Sequence, residues 1–158
     1  MEQFFSKFNL ITNGEGFTDI TKDLNLLIQK SDFHSGILNL TSLHTSCSLT
    51  INENADPNVL KDLKKFMKSI VPQNCYTSLS KDREDIYYEH SQEGEDDMPA
   101  HIKTALTNTN LSLSFQKGQI ILGTWQAIYL WEHRFSPKER SISIHIIGEK
   151  ISNIYNDK

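Results

Sequence analysis

The sequence predicts an α+β fold: a mostly antiparallel, sandwich-like β core with two or three helices packed on it. Three observations predict it. Extended, β-branched segments stand towards both ends of the chain, with helical spacing between them. Asp56-Pro57 and Pro72 bracket a central helix with start and stop signals. Helices and strands do not alternate regularly, which excludes a βαβ array. The 158 residues fit a single domain over 1–158, long enough to bury about two-thirds of the unfolded surface.

In chain order, Phe8 to Thr12 reads as a short strand, broken by Gly14-Glu15-Gly16. From Asp19, which can cap, Ile20, Leu24, Leu27 and Ile28 fall on one helical face. Ile37 to Ile51 reads as extended strand. Val59, Leu60, Leu63, Phe66, Met67 and Ile70 give the central helix its spacing. Residues 73 to 98 are polar and turn-rich, and Pro99 opens a shorter helix. Leu111, Leu113 and Phe115 then alternate, Lys117-Gly118 turns, and Gln119 to Trp131 returns. Ser136-Pro137 turns again before a last strand from Ser141 to Ile147.

Composition narrows the class. A net charge of -4 argues against general nucleic-acid binding. No window approaches the roughly 18 uncharged apolar residues of a membrane span. Met1 to Leu10 lacks the features of a signal peptide, so the cytoplasm is expected. The two cysteines, Cys47 and Cys75, imply no disulfide framework and no CxxC zinc site. Acid is concentrated at 82 to 97, where eight carboxylates face Arg83 alone. Such a run is usually a solvated loop. This one contains His90 and leads into His101, which makes a cation site the competing reading.

His101 follows Pro99 in a first helical turn, where the helix dipole favours a neutral ring, as a metal ligand must be. His44 would share a polar strip with Ser46, Ser48 and Thr50 if Leu43 to Ile51 were one regular strand, with Cys47 on the core side. No two of His44, His90 and His101 have a zinc spacing such as HxxxH, so any shared site has to come from the fold. Among carboxylates, Asp56 reads as a cap, whereas Glu53 has no structural duty, and Glu93 lies in the acidic run. Lys103, Arg134 and Arg140 are candidate phosphate partners. Gly123-Thr124-Trp125-Gln126 follows an apolar strand, where the glycine permits a bulge.

Together these segments resemble the YjbQ-like proteins, also called the secondary thiamine-phosphate synthase family. The resemblance is carried by His44-Thr45-Ser46-Cys47-Ser48-Leu49-Thr50-Ile51-Asn52-Glu53-Asn54-Ala55-Asp56-Pro57 and by His90. It continues through Glu93-Gly94-Glu95-Asp96-Asp97-Met98-Pro99-Ala100-His101-Ile102-Lys103, then Gly118 to Gln126, Glu132, Arg134 and Ile146-Ile147-Gly148. It spans nearly the whole chain in order. Ser46, where threonine is common, and Ala127, where glycine often follows, are mild departures. The resemblance implies a compact α+β fold assembled as a homotrimer. It also implies a metal or anion site at His44, His90 and His101, and an activity that joins a pyrimidine pyrophosphate to a thiazole phosphate. The chain is too short for the ~250-residue barrel of TIM-fold enzymes, so such chemistry would need another scaffold.

The leading expectation is a metal-dependent enzyme of phosphorylated small molecules. A divalent cation on the three histidines, zinc or nickel before magnesium on ligand softness, would stabilise a departing pyrophosphate. Glu53 and Glu93 would orient ligands or move protons, and Lys103 and Arg140 would neutralise phosphate. The alternative is a metal- or small-ligand-binding protein with incidental turnover, since no nucleophile elbow, P-loop or dinucleotide fingerprint occurs. Apolar residues on both faces of the Leu38–Ile51 and Gln119–Trp131 segments support the trimer expectation, because a small domain has difficulty covering both.

Overall fold

The computed structural model describes residues 1–150. Ten strands and three helices follow in the order β1 (Glu2–Ile11), β2 (Gly16–Asp19), α1 (Thr21–Lys30), β3 (Phe33–Ser42), β4 (Cys47–Glu53), α2 (Pro57–Ile70), β5 (Cys75–Thr77), β6 (Asp85–Tyr87), α3 (Asp97–Ala105), β7 (Asn110–Gln116), β8 (Gln119–Ile120), β9 (Gln126–Glu132) and β10 (Glu139–Lys150). A five-stranded sheet runs β1-β10-β3-β7-β8, a three-stranded sheet runs β2-β9-β4, and β5-β6 form a small hairpin. Every pairing is antiparallel. The α+β expectation holds.

The two larger sheets share one core. Alternation turns Leu38 and Leu40 of β3, Leu113 and Phe115 of β7 and Ile142, Ile144 and Ile146 of β10 inward. They meet Leu49 of β4, Ile128 and Leu130 of β9, and Leu24 and Ile28 of α1. The amide of Leu49 donates to Asn108 O at 2.7 Å, which ties the edge of the small sheet to the chain entering β7. The outer face of the small sheet is covered as well: Trp131 and Phe17 pack against Met67, Leu63 and Val71 from α2 and its end, and Ile102 of α3.

Local chemistry explains the helices. Asp56 Oδ1 accepts from the Asn58 amide at 2.8 Å and Pro57 stands at the start of α2, as expected. Asp19 Oδ1 accepts from the Thr21 amide at 2.9 Å, so it serves the start of α1 from just outside it. The Lys117-Gly118 turn has φ of 53° and 70°, the left-handed pair that a two-residue hairpin requires.

Two strand expectations are corrected. Ile37 to Ile51 is not one strand: it breaks between Ser42 and Cys47, and β3 and β4 belong to different sheets. Gln119 to Trp131 breaks likewise, with β8 pairing to β7 and β9 crossing to the small sheet. These breaks place β4 and β9 in the small sheet, which is covered on both faces. Tyr129 and Trp131 are buried, leaving only Trp125 of the expected aromatic patch exposed. Of these three rings, only Trp125 is free to meet another subunit. Pro99 is also not the first residue of α3, which starts at Asp97. A proline there falls in the first turn, whose amides have no helical partner to lose.

Candidate metal centre

The start of α3 determines the site. Asp97 and His101 stand four residues apart on one helix, hence on one stripe. The loop after β6 brings His90 to the same point. His90 Nε2 lies 2.7 Å from Asp97 Oδ2, and His101 Nε2 lies 3.5 Å from the same oxygen. The three donor atoms all lie within 4.8 Å of one another. The imidazole centroids are 5.4 Å apart.

Neighbouring groups hold these side chains. His101 Nδ1 donates to the Thr45 carbonyl at 2.9 Å, because a carbonyl only accepts. In the neutral ring the lone pair then sits on Nε2, the atom facing Asp97. A backbone acceptor behind a histidine is the usual means of fixing a ligand tautomer. Asp97 is almost wholly buried, and its other oxygen is gripped by Arg134 Nη1. Arg134 also donates to Asp96 Oδ2 at 3.1 Å and to the Glu93 carbonyl at 2.7 Å. Burial pushes the Asp96 carboxyl up, but hydrogen bonds from the Phe135 amide and Arg134 outweigh it and hold it below the ordinary range.

The donors fit a divalent transition metal in kind: two imidazoles and a carboxylate on one side, with the remaining positions open. Two donors bonded at roughly 2.1 Å stand at most about 4.2 Å apart, and Asp97 Oδ2 lies within that span of both His90 Nε2 and His101 Nε2, at 2.7 and 3.5 Å.

His44, expected as the third imidazole, is not in this group. It lies in the turn between β3 and β4, where its Nε2 accepts the Ser141 amide at 2.8 Å. Burial and the charge of Arg140 hold it below the usual imidazole range, so it is a neutral acceptor. Arg140, expected at phosphate, is buried and donates to both Glu132 oxygens, at 2.7 and 2.6 Å, and to Ser46 Oγ at 2.9 Å. Lys103 is buried against Glu15 at 2.9 Å. Glu53 ends β4 opposite Gln126 and is not among the gathered side chains. Glu93 is at the site through its carbonyl, and its exposed carboxylate lies 3.8 Å from Arg134. The residue missed from the sequence is Asp97. Its signal was the DxxxH spacing to His101, hidden by starting the helix at Pro99.

A cavity of about 370 Å³ opens beside His90, walled by Tyr87, Tyr88, Ser91 and Gly94. No described helix is long and apolar enough to cross a membrane.

Comparison with known proteins agrees with the resemblance. The family described as UPF0047 protein YjbQ-like matches residues 6–149. A UPF0047 protein of Synechocystis is 39% identical over 140 residues, covering 89% of this chain and 88% of its own. The UPF0047 protein YjbQ of Escherichia coli O157:H7 is 41% identical over 141 residues, covering 89% and 94%. A crystal structure of an uncharacterised conserved YjbQ/UPF0047-family protein from Clostridium acetobutylicum superposes with a TM-score of 0.73 at 31% identity, over 90% of this chain and 99% of that one. A YjbQ-like protein of unknown function from Sulfolobus solfataricus, 20% identical with a TM-score of 0.74 over 94% and 100%, shares the fold. With its model match running almost end to end and relatives near 40% identity, the chain belongs to the YjbQ-like UPF0047 family.

Proposed function

We propose that this protein is a metal-dependent enzyme acting on phosphorylated small molecules, with thiamine-phosphate synthase-like transfer as the reaction to test first. The observation that carries the reading is the convergence of His90 Nε2, Asp97 Oδ2 and His101 Nε2. These atoms would hold the cation, which supplies Lewis acidity towards a phosphoryl or pyrophosphate oxygen. The chain's own residues do the rest. Arg134 keeps the buried Asp97 carboxylate oriented, and Thr45 keeps His101 in the ligand tautomer. The cavity beside His90 receives the substrate, with Tyr87 and Tyr88 offering ring faces to a heterocycle. Glu93, whose exposed carboxylate lies 3.8 Å from Arg134, would orient a ligand or move a proton.

Protein purified without a histidine tag should carry metal, zinc or nickel before magnesium, by elemental analysis. Asp97→Ala and His101→Ala should each lose most of it, while His44→Ala keeps it. Full occupancy in both of the first two variants would remove the site. Pyrophosphate release from a pyrimidine pyrophosphate and a thiazole phosphate, lost with the metal, is the enzymatic arm.

A second reading, a metal-binding protein with incidental turnover, is favoured by one observation. Of the residues expected to serve the reaction, Glu53 stands outside the cluster, and Lys103 and Arg140 pair with Glu15 and Glu132. A thermal-shift screen of metal-stripped protein separates the two. Stabilisation by metal alone supports binding; further stabilisation by a phosphorylated substrate supports the enzyme.

A homotrimer belongs to the same proposal. Its support is the family resemblance. Light scattering at micromolar concentration checks it, and a mass near 18.2 kDa would sink it.

A further inference from the structure

Behind α3 lies a second cavity with different chemistry. Pro99 and Lys103, like Asp97 and His101, stand four residues apart, but their stripe is offset by about 200° around the helix. The stripe faces a cavity of about 250 Å³ walled by Val71, Pro72 and Phe135, with Lys68 and Lys103 among its lining. It therefore opens on the side of α3 away from the histidines.

The charges there do not balance locally. Lys103 and Lys68 approach the Glu15 carboxylate at 2.9 and 2.8 Å, and Lys64 stands 3.5 Å away. One carboxylate thus faces three ammonium groups. Burial pushes the Glu15 carboxyl up, but the lysine hydrogen bonds outweigh it and hold it below the ordinary range, so it stays ionised. Asp96, which also lines the cavity, is already engaged by Arg134 and the Phe135 amide. Lys103 is only 4% exposed. Among the described residues, the one hydrogen-bond acceptor of its ammonium is Glu15. An ammonium carries three donors, and spare donors on a buried cation are costly. The cavity that Lys103 lines has room for further acceptors. Beside this charged end the walls are apolar, and the Lys68 ammonium lies 5.6 Å from the Phe135 ring centroid, so the two halves adjoin.

We propose that this cavity binds a small organic anion: a phosphate or carboxylate on Lys68 and Lys103, carried by a flat apolar body against Pro99 and Phe135. The site is separate from the metal centre and does not depend on it. If it held only solvent, the lysines would be an internal ion-pair network with no ligand preference.

Calorimetric or NMR titration of the full chain with phenyl phosphate, benzoate and inorganic phosphate distinguishes the two. Phenyl phosphate or benzoate should bind saturably, and the tighter of them names the head group. Lys68→Gln, half exposed and leaving the Lys103–Glu15 pair in place, should weaken binding about tenfold, as expected for a lost charge-assisted contact. Phe135→Ser should weaken the aromatic ligands several-fold, by roughly the value of a lost apolar wall, and leave inorganic phosphate unchanged. His101→Ala should leave all three within about twofold, a difference well under 1 kcal/mol. Absence of saturable binding, an undiminished affinity in Lys68→Gln, or loss of binding in His101→Ala would each overturn the proposal.

Discussion

Arg140→Met should destabilise the protein by about 3–5 kcal/mol, the usual cost of removing one partner from a buried ion pair. Glu132 is fully buried and accepts five hydrogen bonds: two from Arg140, and one each from Thr12 Oγ1 and the amides of His133 and Arg134. Burial pushes its carboxyl up, but Arg140 and its other donors outweigh that and hold it below the ordinary range. Without Arg140, an anion stays in the core facing only neutral donors. Glu132→Gln combined with Arg140→Met removes both charges and should recover part of the loss. Urea unfolding measures this. If Arg140 were instead a phosphate partner, the single variant would lose ligand affinity and keep its unfolding midpoint, and that result would defeat the structural assignment.

Stability should also fall by about 2 kcal/mol between pH 7 and pH 5 because of His133, at roughly 1.4 kcal/mol per pKa unit. The ring is 1% exposed. Its Nε2 meets Ser48 Oγ at 2.9 Å, and its Nδ1 has no partner among the described residues. Burial and the charge of Lys103 push its pKa down to about 3. Below the unfolded value of about 6.5, the unfolded chain takes up a proton that the folded chain refuses. Stability therefore rises with pH across the interval from about 3 to 6.5 and is level above it. His44, also lowered, adds in the same direction. His133→Gln keeps a hydrogen-bonding side chain but does not titrate, so its profile should be flatter by that amount, roughly 4–8 °C in melting temperature for a chain this size. Measurements in chelator keep metal release out of the comparison. Parallel profiles for wild type and variant would refute the assignment.

What could be read from the sequence was whatever neighbours in the chain decide. α2 was legible because its cap, its proline and its apolar stripe all lie within one stretch. The β7–β8 turn was legible because Lys117-Gly118 supplies the required backbone locally. That His90 and His101 come together was signalled by the acidic run that contains one and leads to the other. The partition of strands between sheets was not. Residues 37 to 51 remain β-prone throughout, and only pairing to distant partners, β3 with β10 and β7 but β4 with β9, makes the chain turn a corner at 43 to 46. That corner turns His44 towards Ser141, outside the group of His90, Asp97 and His101. Asp97 was hidden by an error of two residues in a helix start, which concealed its i,i+4 relation to His101. The ion pairs of Arg140 and Lys103 were not legible for a deeper reason. A cation's role depends on which carboxylate the fold buries beside it, and Glu132 and Glu15 carry no local mark of that burial. Tertiary structure decided those pairings, because a charge leaves water only where an opposite charge is already in place.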